Sequence, residues 1–263
     1  MKLIDTHTHL DFDNFEMDRR QVLEHCQQLG VERMVVLGVY ERNLQRVWDL
    51  ALSERAVYAA LGLHPVYVEE HQPEHLNRLR DRLTALAGHP KLCAVGEIGL
   101  DYYVDSLAQE PNRQRQKEVF DAQLQMAADF NLPALLHVRR GHADTIAALK
   151  RFKLKRSGII HAFAGSREEA REYIKLGFKL GLGGAATWPQ ALRMHRVIAE
   201  LPLDSVVLET DSPDMAPAMF PKMRNSPEHL PDICAALASL MTVTPAELAR
   251  ASTENANSLF GWD

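Results

Sequence analysis

Cysteine is scarce in this 263-residue chain. The three present, Cys26, Cys93 and Cys234, lie far apart and form no C-x-x-C. They read as small buried hydrophobes in a reduced, cytoplasmic setting. Positive charge is also in short supply. Thirty Lys and Arg stand against 35 Asp and Glu, for a net charge of −5. That balance argues against a protein that holds nucleic acid through a broad basic surface and leaves room only for a local basic groove. No apolar run approaches membrane-spanning length, and the N-terminus has no basic segment leading into an apolar one. The expectation is therefore no membrane association and no secretion. Linkers, low-complexity segments and repeats other than a β/α alternation are absent too, which points to one domain over 1–263 with no obligate protein partner.

What the chain does have is regular alternation. Eight short segments rich in aliphatic and β-branched residues read as strands: 2–10, 31–39, 57–65, 92–101, 132–139, 157–163, 178–184 and 205–213. Amphipathic helical patterns separate them. Val22, Cys26 and Leu29, with Leu23 beside them, recur at helical spacing after the first strand. Leu230, Ile233, Cys234, Leu237 and Met241 do so after the last. Pro227 and Pro245 sit where helix starts tolerate proline, and Thr244 suits an N-cap. Eight strand–helix units in this length predict a single α/β domain, a (β/α)8 TIM barrel with parallel strands.

In such barrels the active site lies at the carboxyl ends of the strands. Polar residues at the expected ends are His7 and His9, His64, Glu97 and Asp101, His137 and Arg139, His161, and Glu209 with Asp211. Five of the twelve histidines fall there; the other seven, His71 among them, read as solvated or capping residues. One histidine at a strand end is ordinarily structural. Several from different strands, together with carboxylates, would be costly to bury without a compensating charge. A metal centre supplies it. His7, His9, Glu97, His137, His161 and Asp211 are donors that zinc, manganese and similar cations accept, and two ions bridged by Glu97 would use all six. Asp5 shares the period-two face of His7 and His9 and is expected to orient a histidine from behind, and Glu209 to do the same.

The motifs "DTHTHLD", "GLHP", "GEIGLDYY", "LHVR", "HAFAGS" and "ETDSP", in this order and spacing, resemble the TatD-type metal-dependent deoxyribonucleases of the amidohydrolase superfamily, and specifically their YjjV-like branch. The likeness runs nearly end to end. It implies a distorted TIM barrel, an amidohydrolase-like fold with a metal site at the C-terminal ends of the strands. It also implies two or more divalent ions (Zn, Mg or Mn) on His7, His9, Glu97, His137, His161 and Asp211, and hydrolysis of phosphodiesters. Asp214 departs from the family, whose better-characterised nucleases carry an aromatic residue there.

The expected reaction is attack by a metal-activated water, with Asp211 accepting its proton and Glu97 essential to the metals. His64 could donate to a substrate oxygen, and Arg139, of the same parity as His137, could clamp a phosphate. Trp188, Tyr102 and Tyr103 could stack on bases. Arg140 reads as a solvated charge, and Lys222 and Arg224 lie in a loop where phosphate sites recur in this fold. Gly181, Gly183 and Ala186 loosely satisfy G-x-G-x-x-A, but a dinucleotide fingerprint would leave the histidines unexplained. The expected substrate is single-stranded DNA, degraded as by a 3′ exonuclease, or a small phosphodiester. The alternatives are a metal-dependent hydrolase of a small amide, ester or lactone, which Asp214 and the acidic net charge favour, and a non-enzymatic scaffold, which an intact ligand set disfavours.

Overall fold

A computed structural model describes residues 1–262. All eight expected strands are present: β1 (Leu3–Thr8), β2 (Val31–Leu37), β3 (Val57–Leu61), β4 (Leu92–Asp101), β5 (Ala134–Arg139), β6 (Gly158–Ile160), β7 (Lys179–Leu182) and β8 (Val206–Leu208). They form one sheet in sequence order, each parallel to the next. The helices that return the chain between them are α1 (Arg19–Leu29), α2 (Leu44–Ser53), α3 (Pro73–Ala85), α4 (Asp105–Ala108), α5 (Asn112–Asp129), α6 (His142–Phe152), α7 (Arg167–Lys175) and α8 (Leu192–Ile198). Two more, α9 (Leu230–Met241) and α10 (Pro245–Phe260), follow β8. This is a (β/α)8 barrel, nearly closed.

The seam between β8 and β1 carries a parallel bridge, Thr8 with Ser212, rather than a full ladder. Side chains complete it. Asp5 accepts hydrogen bonds from the Thr210 amide (3.0 Å) and hydroxyl (2.6 Å), and Thr6 donates to the Leu208 carbonyl (3.1 Å). The backbone amides of Asp211 and His9 reach across to the carbonyls of His7 and Ser212. Backbone groups that a short β8 leaves open are thereby satisfied, as burial demands.

Two apolar clusters divide the interior. The larger lies between strands and surrounding helices. The smaller gathers Ile4, Val35, Leu37, Ala60, Ala94, Leu135, Ile159 and Val207 from the strands with Ala256, Leu259 and Phe260 of α10. The last helix thus packs against the inner cluster. Its start is built as the sequence indicates: Thr244 caps it, accepting from the Glu247 amide while Glu247 accepts from the Thr244 amide. In α1, Val22 and Cys26 are buried, whereas Leu29, at the helix end, is exposed. No single helix among the described residues is long and apolar enough to cross a membrane.

Candidate metal centre

Two of the strand pairings lose register at the residues that matter most. The β1–β2 ladder shifts between Asp5 and Thr8, and the β4–β5 ladder between Val95 and Ile98. Such irregularities re-aim a side chain beside an active site. The side chains concerned are His7 and Glu97.

Glu97 stands at the centre, its side chain 2% exposed, and its two carboxylate oxygens face different partners. Oε2 lies 3.2 Å from His7 Nε2 and 3.4 Å from His9 Nε2. Oε1 lies 3.1 Å from His64 Nε2, 3.3 Å from His137 Nδ1 and 3.5 Å from His161 Nε2. Asp211 Oδ1 completes the first group, 3.5 Å from His7 Nε2 and 3.6 Å from His9 Nε2. Three overlapping donor sets result: His7, His9 and Asp211; His7, Glu97 and His161; and His64, Glu97 and His137.

These separations fit a cation. Two ligands at about 2.0–2.1 Å from a tetrahedral zinc stand roughly 3.3 Å apart. The chemistry agrees, since five imidazoles and two carboxylates converge and none of the seven side chains is more than 17% exposed. Among the described residues the Nδ1 atoms of His7 and His9 have no hydrogen-bond partner, and their Nε2 atoms face Glu97 and Asp211. Burial would raise the Glu97 carboxyl, but the surrounding imidazoles of His64, His7 and His161 hold it well below the usual range. Burial lowers His9, yet Glu97 and Asp211 outweigh it and push the imidazole up to about 9. His161 rises to about 10, because Glu209, Asp211 and Glu97 together exceed the desolvation.

Supporting carboxylates set the rings. His137 Nε2 lies 2.9 Å from Asp101 Oδ2, leaving Nδ1 for the cluster. His161 Nδ1 lies 3.0 Å from Glu209 Oε1, leaving Nε2. Both follow the carboxylate–histidine pattern common behind metal ligands. Glu209 is buried beside β7, and a Cβ on Gly181 would fall 2.1 Å from its Oε2. The glycines of "GLGG" therefore make room for this carboxylate and for the loop after β8, not for a dinucleotide. Glu209 and Asp211 do not face the same way: the first turns to His161, the second to His7 and His9. Strict alternation fails because β8 ends at Leu208 and Asp211 adopts a left-handed backbone (φ 56°).

Asp5 differs from expectation as well. Its carboxylate accepts from the backbone amide of His7 and from Thr210, not from an imidazole. It fixes the barrel seam, and burial pushes its carboxyl up to about 7.

His64 is pushed down to about 4 by burial and is neutral at physiological pH. Its Nδ1 accepts from the Val66 amide (3.1 Å), so the proton resides on Nε2, which donates to Glu97. His71, expected as a solvated residue, is 2% exposed and lies with Nε2 2.8 Å from the His64 carbonyl.

A cleft of about 530 Å³ opens above the cluster, lined by His9, His64, Glu97, His137, His161 and Asp211, with Phe12, Tyr67, Arg139 and Asp214 on its walls. Arg139 is exposed and stacks over Tyr103, its Cζ 3.5 Å from the ring centre. Trp188 does not line this cleft: its indole N–H donates to the Ala216 carbonyl (2.9 Å) and buttresses the loop after β8. Tyr102 donates to Asp144. Arg224 is taken by Asp18 through two bonds of 2.8 and 2.7 Å, which removes it as a phosphate ligand.

Sequence reasoning missed the amides that fasten the rim. Gln123, fully buried on α5, accepts from the Leu63 amide (2.7 Å) and donates to its carbonyl (3.0 Å), pinning the residue before His64. Gln116, seven residues earlier, does the same for Asp101. Their signal was two glutamines set among Val119, Phe120 and Leu124 on one helical stripe. Asn225, also fully buried, donates to the carbonyls of Thr210 (2.7 Å) and Met215 (3.3 Å) and so holds the turn after β8.

Residues 4–261 match the family model described as TatD related DNase. The chain is 40% identical over 260 residues to the uncharacterized metal-dependent hydrolase YjjV of Escherichia coli K12, covering 98% of each. The crystal structure of that protein superposes with a TM-score of 0.93, again over 98% of both chains. The 3′-5′ ssDNA/RNA exonuclease TatD of Pantoea vagans is 32% identical, over 98% of this chain and 99% of its own. An uncharacterized amidohydrolase from Saccharomyces cerevisiae shares the fold, with a TM-score of 0.84 at 20% identity over 99% of this chain and all of that one. Fold, donor cluster and relatives together define a metal-dependent hydrolase on an amidohydrolase-like barrel. Within that class, the chain belongs to the TatD family.

Proposed function

We propose that this protein is a divalent-metal-dependent phosphodiesterase acting, in the manner of a 3′ exonuclease, on single-stranded DNA or a small phosphodiester. The observation that carries the reading is the division of Glu97 between two imidazole groups, one on each carboxylate oxygen. Two cation positions account for it. His7, His9 and Asp211 would hold one ion with Oε2, and His137 and His161 the other with Oε1. Zinc, manganese and magnesium are the candidates. Bound there, the ions supply positive charge that acidifies water and offsets the charge developing at phosphorus.

The chain's own residues do the rest. Asp211 is the most open of the cluster carboxylates, 16% exposed against 2% for Glu97, and faces the cleft. It accepts the proton of the attacking water. His64, neutral with its proton on Nε2, donates to a phosphoryl oxygen. Arg139, on the cleft wall, takes a second oxygen. Asp101 and Glu209 keep His137 and His161 in the tautomers that ligation needs. The Pantoea relative, named for single-stranded DNA and RNA, supports the nucleic-acid form of the reading. Three free, buried thiols are compatible with a reducing cytoplasm.

Hydrolysis of a small amide, ester or lactone is the second reading. The net charge of −5 and the Asp214 carboxylate on the cleft wall favour it, since both repel a polyanion. Turnover of an aryl phosphodiester, short single-stranded DNA and a panel of amides and lactones by metal-loaded protein separates the two. The phosphodiester and DNA are expected to react. Reaction of the amides or lactones alone would overturn the proposal.

A further inference from the structure

Two charges on the cleft wall have no ionic partner among the described residues, and they are of opposite sign. Arg139, at the end of β5, meets the ring of Tyr103 and pairs with no carboxylate of the described residues. Asp214, in the turn after β8, is exposed, and its carboxylate accepts no hydrogen bond from the described residues. The two strands stand three places apart in an eight-strand ring, so the charges confront each other across the mouth. Asp214 is not on a loose segment. Its own amide donates to the Asp211 carbonyl (3.0 Å), the Asn225 amide donates to the Pro213 carbonyl (2.9 Å), and the buried Asn225 side chain grips Thr210 and Met215 on either side. On its side of the cleft the wall is apolar and aromatic: Phe12, Val66, Tyr67 and Met215.

We infer that Asp214 is a specificity determinant that recognises an ammonium or amino group on the retained arm of a phosphodiester substrate, whose phosphate lies between the metal centre and Arg139. The inference rests on the phosphodiesterase reading above. An unpaired acid beside a site for anions repels a plain phosphodiester, and that repulsion turns to attraction only if the substrate brings a donor or positive charge to meet it. The adjoining aromatic and aliphatic wall suits the carbon frame that carries such a group. Amino-bearing nucleobases and small aminoalkyl esters share this chemistry.

The test uses two esters with one leaving group, 2-aminoethyl 4-nitrophenyl phosphate and propyl 4-nitrophenyl phosphate, which lacks the ammonium group, on metal-loaded full-length protein. Rates and calorimetric binding constants are both measured. The native protein is expected to prefer the aminoethyl ester by roughly tenfold in kcat/KM and in Kd, as one partly exposed charge-assisted bond allows. In Asp214→Asn the ratio should fall to within about twofold of one, and in Asp214→Lys it should invert. Equal handling of the two esters by the native protein, or a preference that survives Asp214→Asn, would overturn the inference. The binding ratio decides the matter even if neither ester is cleaved, and that absence of cleavage would count against the phosphodiesterase reading alone.

Discussion

Glu209 holds one end of the His161 imidazole, Oε1 to Nδ1 at 3.0 Å, while the other end faces Glu97 at 3.5 Å. The same oxygen also accepts from the Ala162 amide at 2.6 Å, so the carboxylate fixes both ring and backbone. Loss of such a partner weakens a metal site without dismantling it. Glu209→Gln is expected to lower metal affinity by about 10- to 100-fold, read by competition against a fluorescent chelator. Unaltered affinity would remove Glu209 from the site.

Glycine at position 181 is the complement of that carboxylate. A methyl group there would collide with Glu209 Oε2. Gly181→Ala should therefore reproduce the metal-affinity loss of Glu209→Gln, and the double variant should cost little more than either alone. Additive losses would show that the two residues act separately.

The metal-free protein should resist losing protons. His9 and His161 sit at about 9 and about 10, against an ordinary 6.5, because the neighbouring carboxylates outweigh burial. A raised folded-state value contributes stability that is complete below about pH 6.5 and disappears as pH climbs through 9 to 10. Metal-free protein is thus expected to lose stability over that window. Ligation at pH 7 must also expel about two protons, so affinity rises with pH. Calorimetry in buffers of different ionisation enthalpy measures the release; a value near zero would contradict the charge state argued for the cluster.

Gln123 supplies a stability test away from the metals. Removing its amide strands the buried N–H and C=O of Leu63. Gln123→Ala should cost about 2–4 kcal/mol in urea unfolding. A cost below about 1 kcal/mol would mean that water or a shifted backbone replaces both bonds.

The barrel was legible because the segments between turns carried their own periodicity. The expected 92–101 coincides with β4, and all eight strands fall within their expected ranges. Strand ends were not legible. β6 stops at Ile160 and β8 at Leu208, where Ala162 (φ 44°) and Asp211 (φ 56°) take left-handed backbones that lift His161 and Asp211 out of the ladder. Alternation carries no information across a register shift or beyond a ladder, which is why Asp5, just before the shift in β1, serves the seam, and Glu209, past the end of β8, turns to His161. Residue chemistry identified the donors that converge, since no apolar core explains so many imidazoles. It missed Gln116, Gln123 and Asn225, whose roles depend on the loop carbonyls and amides they reach, and it overrated Trp188, because an aromatic near a rim gives no sign of which way it turns.

The central claim is that Glu97 joins two cation positions, and metal content of Glu97→Gln tests it most directly. Elemental analysis of protein purified without chelator, beside its rate on an aryl phosphodiester, should give about two divalent ions per native chain. The variant should hold at most one and lose at least ~10³-fold in rate, as removal of a main electrostatic element does. A variant that keeps both ions, or that hydrolyses the ester at the native rate with the metals gone, would contradict the account.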